Sequence, residues 1–526
     1  MRLLSTGPNS LLIEQDSLEA TMALYECLHA NKPTGLHELV PAARTILLGF
    51  DGRLDPLQLF ELIDSCRLAK RNDKDAKLIE IEALYDGPDL ELAARHLKLS
   101  VKELIKVHSS SEYEVAFLGF APGFAYMISK DNDFNLPRLE SPRLKVPKGS
   151  VSLAGDFCGI YPKESPGGWQ IIANTRANLW DTSKEQPALL LPGNRVRFKP
   201  IEKEQLEVTS PKDEPSKRIQ VLPKGASPSM LIISPGLLAS FQGAGESLFM
   251  YGISRAGALD KGALRSANAM VGNKWDEPCI EISMGGFKAL ALSPMLLAIS
   301  GAKAAIHIRK KNGKSYVQNT YEPFLLEATD QISIEVPKAG VRNYLALRGG
   351  FLVQEELGSS SYNSLCQLGP APLKKDDFLY PANKKAQAIS NEQSPANPFI
   401  TSKDEISLDI FMGPRTEYFT QEALKTLCST AYELSSNSDR IGMRLNADVF
   451  LERKIKSELL SEGIVSGAIQ VPANGLPIIF MADHPLTGGY PVIAHLAPSS
   501  INKAAQIPVG AKIRFKSLGE KIYDLT

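Results

Sequence analysis

Three short sequence blocks recur in the same order in two distant parts of the chain, and this repeat limits the architecture more than any other feature. The first block reads G-x-V-S, the second reads G-G-aromatic-x-x-I-A, and the third begins with proline and ends in [IV]-R-F. One copy occupies 149–152, 167–173 and 192–198, and the other occupies 463–466, 488–494 and 508–515. Short apolar runs between glycine and proline turns are typical of β-strands. The repeat therefore predicts two copies of one β-barrel-like unit.

The sequence around the repeat divides the chain further. Helical apolar spacing at 19–29 alternates with short strand patterns near the N-terminus, and Ser100 and Glu103 stand at capping-box positions for another helix. We expect a mainly β protein with an α+β N-terminal part and tandem β-barrel units. The expected parts are an α+β domain at 1–88, a β domain at 89–205, a linker at 206–228, a β unit at 229–395 and a second one at 396–526.

Composition excludes several classes of protein. Lys and Arg together number 59 and so do Asp and Glu, so the chain lacks the basic excess typical of nucleic-acid binding. The 6 cysteines are far apart in sequence, which predicts buried or free thiols in a reducing compartment and neither a disulfide framework nor a zinc site. The histidines form no HxxxH or HExxH pattern, so no catalytic metal is expected. Without a long apolar stretch, the sequence predicts a cytoplasmic protein with no membrane contact.

The densest motif is the segment 116–126, which reads AFLGFAPGFAY. A strand pattern runs into a Pro-Gly turn with aromatic residues on both sides. Glycine lets backbone N–H groups approach a ligand closely, and proline fixes the turn. The segment predicts either a rigid loop that presents amides and rings to a small substrate or an aromatic turn buried in the core.

With these motifs, the chain resembles a fusion of the B and C subunits of 5-oxoprolinase. These subunits are also labelled allophanate hydrolase subunits 1 and 2. They are related to the carboxyltransferase part of urea carboxylase and urea amidolyase. The stretches similar to the B subunit are 85–90, 108, 119–127, 141–143, 146–151 and 161–169. Those similar to the C subunit are 254–260, 268–273, 281–286, 438–445, 467–472 and 482–491. The resemblance covers nearly the whole chain.

The resemblance implies a cyclophilin-like β-barrel behind an α+β domain in the B-like half, and two such units in the C-like half. It also implies an enzyme component that opens 5-oxo-L-proline to L-glutamate, with ATP and Mg²⁺ as cosubstrate. Phosphorylation of the lactam oxygen would make a leaving group before water attacks. The implied partners are the separate A subunit of 5-oxoprolinase and a small-molecule substrate, and a homo-oligomer is compatible with this interpretation.

The candidate site residues lie at the matched positions. His108 is an acid–base candidate or a structural histidine, and Arg143 is an anion-binding candidate or part of an ion pair. The candidates for substrate binding are Phe120, Pro122, Gly123, Phe124, Gly167, Gly168, Trp169, Arg255, Asp260, Asp439, Arg440, Arg444, Asp483, Gly488, Gly489 and Tyr490. We expect the N-terminal pocket to lie among His108, the turn 119–126, Arg143 and 167–169.

The C-like half departs from the family pattern at several positions. The family sequence Q-D-x-G-R is replaced by 242–246, which reads QGAGE, and the elements G-A-D and G-S-R end in Lys303 and Ser360. His484 stands where Arg or Gln is usual. These changes affect the expected chemistry of this half more than its fold.

Two other functions remain open from the sequence. One is a carboxyltransferase of the urea carboxylase type, which would use carboxybiotin from another protein because no Ala-Met-Lys-Met biotin site is present. The other is a non-catalytic inhibitor of a kinase. The P-loop pattern GxxxxGK[ST] is also absent, since Ile308 stands where its first glycine would be. A neighbouring gene for the A subunit would favour 5-oxoprolinase.

Overall fold

The computed structural model describes residues 1–67, 76–132, 134–141, 143–203, 225–390, 393–457 and 459–519 of the 526-residue chain. Strands form most of its regular structure, which confirms the mainly β fold with an α+β N-terminal part. Most of the expected linker, 206–224, lies outside the described residues, as does Pro142 in the matched stretch 141–143. Within the described ranges, no helix is long and apolar enough to cross a membrane.

The N-terminal part is a four-stranded antiparallel sheet with two helices. Its elements are β1 (Arg2–Ser5), β2 (Ser10–Glu14), α1 (Leu18–Ala30), β3 (Leu36–Pro41), β4 (Thr45–Phe50) and α2 (Pro56–Cys66), with strand order β1-β2-β4-β3. The Ser17 hydroxyl and the Asp55 carboxylate accept hydrogen bonds from the first turns of the two helices. The apolar faces of the helices and the sheet form one core.

A disulfide between Cys27 and Cys66 joins α1 to α2. The expectation that all cysteines are free thiols is therefore wrong for this pair. The two helices pack side by side and bring the Cα atoms to 5.6 Å, a contact between residues 39 apart that no local sequence motif indicates. Cys158, Cys279, Cys366 and Cys428 are free thiols.

A seven-stranded sheet, called the first barrel, follows. Its strands are β5 (Leu78–Ala83), β6 (Tyr113–Leu118), β7 (Ala125–Ser129), β9 (Ser150–Ala154), β10 (Phe157–Ile160), β12 (Gln170–Asn174) and β13 (Arg195–Pro200). The sheet order is β12-β9-β10-β7-β6-β13-β5, and a bridge between Leu84 and Asn174 joins its ends. A separate hairpin pairs β8 (Arg143–Val146) with β11 (Ser165–Gly167).

Two helices, α3 (Leu90–His96) and α4 (Val101–Ser110), pack against the first barrel. The capping box expected at the start of α4 is confirmed. The Glu103 N–H donates to the Ser100 hydroxyl at 3.2 Å, and the Ser100 N–H donates to the Glu103 carboxylate at 2.8 Å. Strand β5 lies on the N-terminal side of the expected boundary at residue 88, so the barrel includes chain from both sides of it.

The middle unit contains two sheets and a helix. Its elements are β14 (Met230–Pro235), β15 (Leu238–Gln242), a 3-10 turn (Phe249–Tyr251), α5 (Lys261–Val271), β16 (Cys279–Ser283), β17 (Phe287–Ala291), β18 (Met295–Lys303), β19 (Ile306–Arg309), β20 (Ser315–Gln318), β21 (Phe324–Leu326), β22 (Gln331–Ile334), β23 (Ala339–Leu347) and β24 (Phe378–Leu379). The sheet orders are β20-β19-β22-β17-β14-β24 and β15-β16-β23-β18-β21. Neither repeats the strand order of the first barrel, so one of the two barrels implied for the C-like half is absent from the described residues of this unit. Helix α5 lies between β15 and β16 in sequence and covers the long strands β18 and β23.

The second barrel closes completely. Its strands are β25 (Glu405–Met412), β26 (Ala431–Leu434), β27 (Gly442–Asn446), β29 (Ala468–Gln470), β30 (Ile478–Phe480), β32 (Val492–Leu496) and β33 (Lys512–Ser517). Further elements are a 3-10 turn (Thr416–Tyr418), α6 (Gln421–Ser429), α7 (Pro498–Ala504) and a hairpin of β28 (Glu462–Gly463) with β31 (Thr487–Gly488). The barrel order is β25-β32-β29-β30-β27-β26-β33.

The two barrels have the same topology. In each, the first and last strands pair in parallel, the first strand meets the sixth, and the order continues through the fourth, fifth, third and second strands. The extra hairpins also correspond, since each joins the segment before the fourth strand to the segment before the sixth. The expectation that the sequence repeat encodes two equivalent barrel units is confirmed.

Candidate functional site

A cavity of about 640 Å³ lies where the two barrels meet, and we call it the central cavity. Its wall includes the turn 120–124 and the segment 161–169 of the first barrel, and 441–444 and 485–490 of the second. In the first barrel, 120–124 precedes the third strand and 161–169 precedes the sixth. In the second barrel, 441–444 overlaps the start of the third strand and 485–490 precedes the sixth. The repeat thus brings both G-G-aromatic blocks to the wall of one cavity, although they begin at positions as distant as 167 and 488.

The turn between β6 and β7 has an unusual backbone at the edge of the central cavity. Phe120 has φ +64°, a left-handed conformation that residues with a side chain seldom adopt. Its N–H donates a hydrogen bond to Oγ1 of Thr487 at 3.3 Å. A Cβ atom on Gly119 would lie 2.5 Å from the same oxygen, so this close approach of the barrels requires glycine. Strained residues fixed by surrounding contacts are frequent at ligand sites.

Aromatic rings form one side of the central cavity. Phe124 and Trp169 pack edge to face, with ring centroids 5.4 Å apart, and both are buried. Tyr126 packs against both rings, and Tyr490 of the second barrel is 44% exposed at the cavity. The aromatic turn is therefore part of the first barrel's core and of the cavity wall at once, so both interpretations of the 116–126 motif describe it.

The charged side chains at the central cavity are mostly cationic. Arg138, Lys163 and Arg444 line it, together with one acid, Glu164. The carboxylate of Glu164 forms an exposed ion pair with Lys145 at 3.2 Å. The Lys163 ammonium donates to the Leu365 carbonyl at 2.6 Å, and burial lowers the pKa of Lys163. The cavity therefore favours an anionic ligand.

Two buried tyrosines supply hydroxyl groups to the cavity wall. Burial raises the pKa of Tyr161 to about 12, and burial also raises the pKa of Tyr126. Both phenols thus stay protonated at neutral pH and can donate hydrogen bonds. A Cβ on Gly167 would lie 2.1 Å from the Tyr161 hydroxyl oxygen, so glycine is needed for the G-G-aromatic block to pack here.

The structure brings most of the expected substrate-binding residues to the central cavity. Those that line it are Phe120, Pro122, Phe124, Gly167, Gly168, Trp169, Arg444, Gly488, Gly489 and Tyr490. Gly123 is part of the same turn, and its N–H faces the Tyr251 carbonyl at 3.4 Å. The positions at which the C-like half departs from its family, such as Lys303 and Ser360, do not line this cavity.

His108 lies elsewhere, in the core of the first barrel, contrary to the expectation that it borders the pocket. It is 0% exposed and surrounded by aromatic rings. Its Nδ1 lies 2.8 Å from the Tyr85 hydroxyl oxygen and its Nε2 lies 3.6 Å from Sγ of Cys158. Burial lowers the pKa of His108 to about 3 and raises that of the Cys158 thiol, so the group is neutral at pH 7. This environment supports the structural role and not the acid–base role.

Arg143 also does not line the central cavity, contrary to expectation. Its guanidinium group donates two hydrogen bonds to the Asp89 carboxylate, at 2.7 and 2.9 Å. Asp89 is buried and accepts a further hydrogen bond from the Ile171 N–H at 2.8 Å. This bidentate ion pair fastens the β8–β11 hairpin to the start of α3, which is the second of the two roles considered for Arg143.

Arg440 and Asp483 form a buried network that joins the middle unit to the second barrel. Arg440 donates to Asp483 at 2.9 and 3.0 Å, to Glu281 at 2.5 Å and to the Gly257 carbonyl at 2.7 Å. None of these side chains lines the central cavity, and Asp439 caps the adjacent turn through the Ile441 N–H. The expected substrate-binding role of Arg440, Asp439 and Asp483 is thus not supported by their positions.

The last two expected residues lie near the start of α5. Asp260 is the N-cap of that helix and accepts hydrogen bonds from the Ala263 N–H and the Gln506 amide. Arg255 lines a different cavity, between the N-terminal sheet and the second barrel. Neither side chain therefore reaches the central cavity.

Two cations of the central cavity, Arg138 and Lys163, are missing from the residues that the sequence indicates. Lys163 stands within the matched stretch 161–169, whereas no motif marks Arg138. In the part of the chain that the structure describes, no group of three or more His, Cys, Asp or Glu side chains could hold a metal ion.

Family models match both halves of the chain. The model for the carboxyltransferase domain, subdomain A and B, matches residues 251–517. The model for the carboxyltransferase domain, subdomain C and D, matches residues 1–190. The match at 251–517 contains the whole second barrel, whereas the match at 1–190 ends before the last strand of the first barrel. Each match includes one side of the central cavity.

Three curated relatives resemble different parts of the chain. The B subunit of 5-oxoprolinase from Escherichia coli O157:H7 is 46% identical over 131 residues, which are 24% of this chain and 60% of that protein. The C subunit of 5-oxoprolinase from Escherichia coli K12 is 32% identical over 287 residues, 54% of this chain and 89% of that protein. Urea amidolyase of Lachancea kluyveri is 28% identical over 296 residues, 52% of this chain and 16% of that protein. The chain thus spans about 60% of the length of the B-subunit relative.

One solved structure resembles nearly the whole chain. The crystal structure of TTHA0988 superposes with a TM-score of 0.83 and 30% identity, covering 97% of this chain and 99% of that one. The combination of an α+β domain, two barrels and a middle unit in one polypeptide is therefore shared with another protein. The B-like and C-like halves are similar to proteins that are named as subunits of one enzyme.

Proposed function

This chain belongs to the family of carboxyltransferase-domain proteins that its two halves match, and on that premise we propose that it is a fused B–C component of an ATP-dependent 5-oxoprolinase. In this role it acts as a hydrolase component that opens 5-oxo-L-proline to L-glutamate together with a separate A subunit. The observation that carries the proposal is the central cavity, whose wall comes from both halves. Fusion of the two halves keeps both sides of such a site in one polypeptide.

The chemistry of the central cavity suits 5-oxoproline. The molecule is a small flat lactam ring with one carboxylate. Guanidinium groups of the kind provided by Arg138 and Arg444 bind carboxylates through paired hydrogen bonds. The faces and edges of Trp169 and Phe124 offer apolar surface to the ring. We assign the substrate to this cavity, with its carboxylate toward the arginines.

An amide is a poor electrophile, and ATP would supply a phosphoryl group that turns the lactam oxygen into part of a leaving group. Water then adds to the activated ring carbon, and the ring C–N bond breaks as the nitrogen takes a proton. Hydrolysis of the resulting acyl phosphate by a second water gives glutamate and phosphate. Lys163 would offset negative charge on the phosphorylated oxygen, and the protonated Tyr161 would donate a hydrogen bond to it. Use of ATP would place the enzyme in the cytoplasm, and Mg²⁺ would enter with the nucleotide.

The proposal is tested by measuring glutamate formed from 5-oxoproline, ATP and Mg²⁺. We expect no turnover by this chain alone and ATP-dependent turnover when the A subunit from the same source is added. Omission of ATP is the control. Robust turnover by this chain alone would contradict the division of labour, and no turnover with the A subunit present would contradict the proposed activity.

The name of the matched family models favours one second candidate, a carboxyltransferase of the urea carboxylase type that accepts carboxybiotin carried by another protein. In that role the central cavity would hold the carboxyl acceptor. Transfer of a radiolabelled carboxyl group from carboxybiotin to urea, dependent on this chain, would support it. If neither activity is found, the kinase-inhibitor function considered from the sequence is the next to test.

A further inference from the structure

A second cavity, of about 450 Å³, lies where the N-terminal sheet, the start of α5 and the second barrel meet. We call it the Lys261 cavity. The N-terminal sheet contributes His37 and Glu38, the segment before α5 contributes Arg255, and the second barrel contributes His484 and His495. Its lining shares no residue with that of the central cavity. None of the chemistry proposed for the central cavity uses these side chains.

Three cationic side chains line the Lys261 cavity: Arg255, Lys261 and Arg265. Arg255 donates to the Gly245 carbonyl at 3.2 Å, and Arg265 lies 4.7 Å from the ring centroid of Trp275. No carboxylate among the described residues forms an ion pair with any of the three. Arg265 is exposed, whereas Arg255 and Lys261 are partly buried. Partly buried cations without acidic partners are uncommon, because desolvation disfavours an uncompensated charge.

The acidic groups of the cavity do not balance these cations. Asp51 is held by the guanidinium group of Arg53 at 2.6 Å. Burial raises the pKa of Glu38, which favours its neutral form. Burial lowers the pKa of Lys261 to about 8, and the nearby positive charge of Arg255 lowers it as well. The cavity therefore carries an excess of positive charge that a bound anion would relieve.

A buried histidine, His495, also lines the Lys261 cavity. His495 is 3% exposed, and its Nδ1 has no hydrogen-bond partner within the described ranges. The other two histidines differ, because Nδ1 of His37 lies 2.6 Å from the Gly49 carbonyl and Nδ1 of His484 lies 2.9 Å from the Pro485 carbonyl. An unpaired buried polar atom of this kind costs stability.

The backbone at the start of α5 is already satisfied. The Lys261 N–H donates to the Asn502 side chain at 3.1 Å, and the Ala263 N–H donates to the Asp260 carboxylate at 2.9 Å. A ligand in the cavity would thus be held by side chains and not by the helix terminus. We propose that the Lys261 cavity is a second ligand site, which binds a phosphate-type oxyanion through Lys261, Arg255 and the imidazole of His495.

The bound oxyanion could be free inorganic phosphate or the phosphate group of a nucleotide. Calorimetric titration of the full chain with inorganic phosphate, and separately with ATP, distinguishes them without any lactam present, so the result does not depend on the proposed 5-oxoprolinase activity. We expect at least one of these probes to bind, and Lys261→Met to weaken it about tenfold or more. Lys261→Arg, which keeps the charge, should retain most of the affinity.

The matched control is Lys274→Met, which removes an exposed lysine just beyond the end of α5 that lines no described cavity. It should leave binding unchanged. A thermal melt of each variant shows that it is folded. Absence of binding by both phosphate and ATP would overturn the proposal, and so would equal affinities of Lys261→Met and the unaltered chain.

A second measurement uses the reactivity of the amine itself. An amine-modifying reagent at limiting dose, followed by peptide mapping, reports the rate of modification at each lysine. Phosphate or ATP should slow modification of Lys261 at least severalfold and leave Lys274 unaffected. Equal rates at Lys261 with and without both probes would contradict binding in this cavity.

Discussion

The backbone N–H of Phe120 donates a hydrogen bond to the hydroxyl of Thr487, a residue 367 positions later in the chain, at a distance of 3.3 Å. The two residues belong to different barrels, in the segments that form the wall of the central cavity. Their contact is close because Gly119 has no side chain to meet Thr487. The joint between the barrels and the edge of the cavity are therefore one structural feature.

This contact predicts energetic coupling between Gly119 and Thr487. In Gly119→Ala the new Cβ would lie 2.5 Å from Oγ1 of Thr487, so we expect a destabilisation of about 1–3 kcal/mol from overpacking. Thr487→Ala alone removes the hydrogen-bond acceptor of Phe120 and should destabilise by about 1–3 kcal/mol. The double variant should lose less stability than the two single variants lose together, by at least about 0.5 kcal/mol. The reason is that Thr487→Ala removes the oxygen that the new methyl group meets.

Denaturant-induced unfolding of the four proteins measures this coupling. Gly52→Ala is the matched control, because a Cβ there would meet no atom within 4 Å and the backbone is not left-handed. It should change the free energy of unfolding by less than about 0.5 kcal/mol. Strict additivity of Gly119→Ala and Thr487→Ala would show that the barrels do not meet as described.

The barrel repeat could be predicted from the sequence because it depends on local signals. Glycines at 167 and 488, each before a second glycine and an aromatic ring, mark the same turn in both copies, and the strand patterns that follow are short apolar runs. The aromatic turn at 119–126 was also predictable, since a Pro-Gly turn between apolar runs has few alternatives. These residues make up most of the expected site that the structure brings to the central cavity.

The misplaced residues depend on contacts that no local pattern contains. The local sequence of a histidine at the end of a helix does not show whether its side chain faces solvent or the core. His108 faces the core, where it contacts the rings of Tyr113 and Phe198. Lys163 reaches the cavity through a contact with Leu365, 202 residues away and in another unit. Such partners are set by how distant elements pack in three dimensions, which is why neither the disulfide nor the partner of Arg143 could be found from the sequence.

The buried network around Arg440 predicts a large loss of stability when its cation is removed. Arg440→Met would leave the carboxylates of Asp483 and Glu281 buried, at 0% and 2% exposure, without their shared partner. We expect a loss of about 3–5 kcal/mol in the free energy of unfolding. The exposed Arg444, four positions later, gives the control Arg444→Met, which should change stability by less than about 0.5 kcal/mol.

The loss in Arg440→Met should depend on pH. Burial favours the neutral form of Glu281, but Arg440 and then Arg342 hold its pKa below the ordinary value. In the unaltered protein this carboxylate therefore stabilises the fold above about pH 4.5 and loses that contribution as the pH falls. In Arg440→Met, burial would raise the pKa of Glu281 above its ordinary value. Protonation of Glu281 at lower pH would then remove its unpaired buried charge and so reduce the destabilisation of the variant. The difference in the free energy of unfolding between Arg440→Met and the unaltered protein should therefore shrink from pH 7 to pH 5. A constant difference would contradict the assignment of Arg440 as the partner of Glu281.

The disulfide between Cys27 and Cys66 predicts a stability that depends on reduction. Linking α1 to α2 closes a segment of 39 residues, and such links stabilise a fold by about 2–4 kcal/mol. A reducing agent should therefore lower the melting temperature, and Cys27→Ser with Cys66→Ser should remove that effect. Alkylation of the denatured, unreduced protein should modify 4 of the 6 cysteines, which mass spectrometry counts. Modification of all 6 would show that the bond is absent.

Substitution of Lys163 should separate a catalytic contribution from a structural one. Its ammonium group lies at the central cavity, partly buried and bonded to the Leu365 carbonyl, where it would offset negative charge that develops on the substrate. With the A subunit present, we expect Lys163→Met to lower kcat/KM for glutamate formation by about 10²–10³, mainly through kcat, because such charge is greatest in the transition state. Lys145→Met is the matched control, since Lys145 is 77% exposed and does not line the cavity. The rate of this variant should stay within about twofold of the unaltered protein. Melting temperatures of both variants monitor folding. Equal rates for Lys163→Met and Lys145→Met, with both proteins folded, would remove Lys163 from the proposed mechanism.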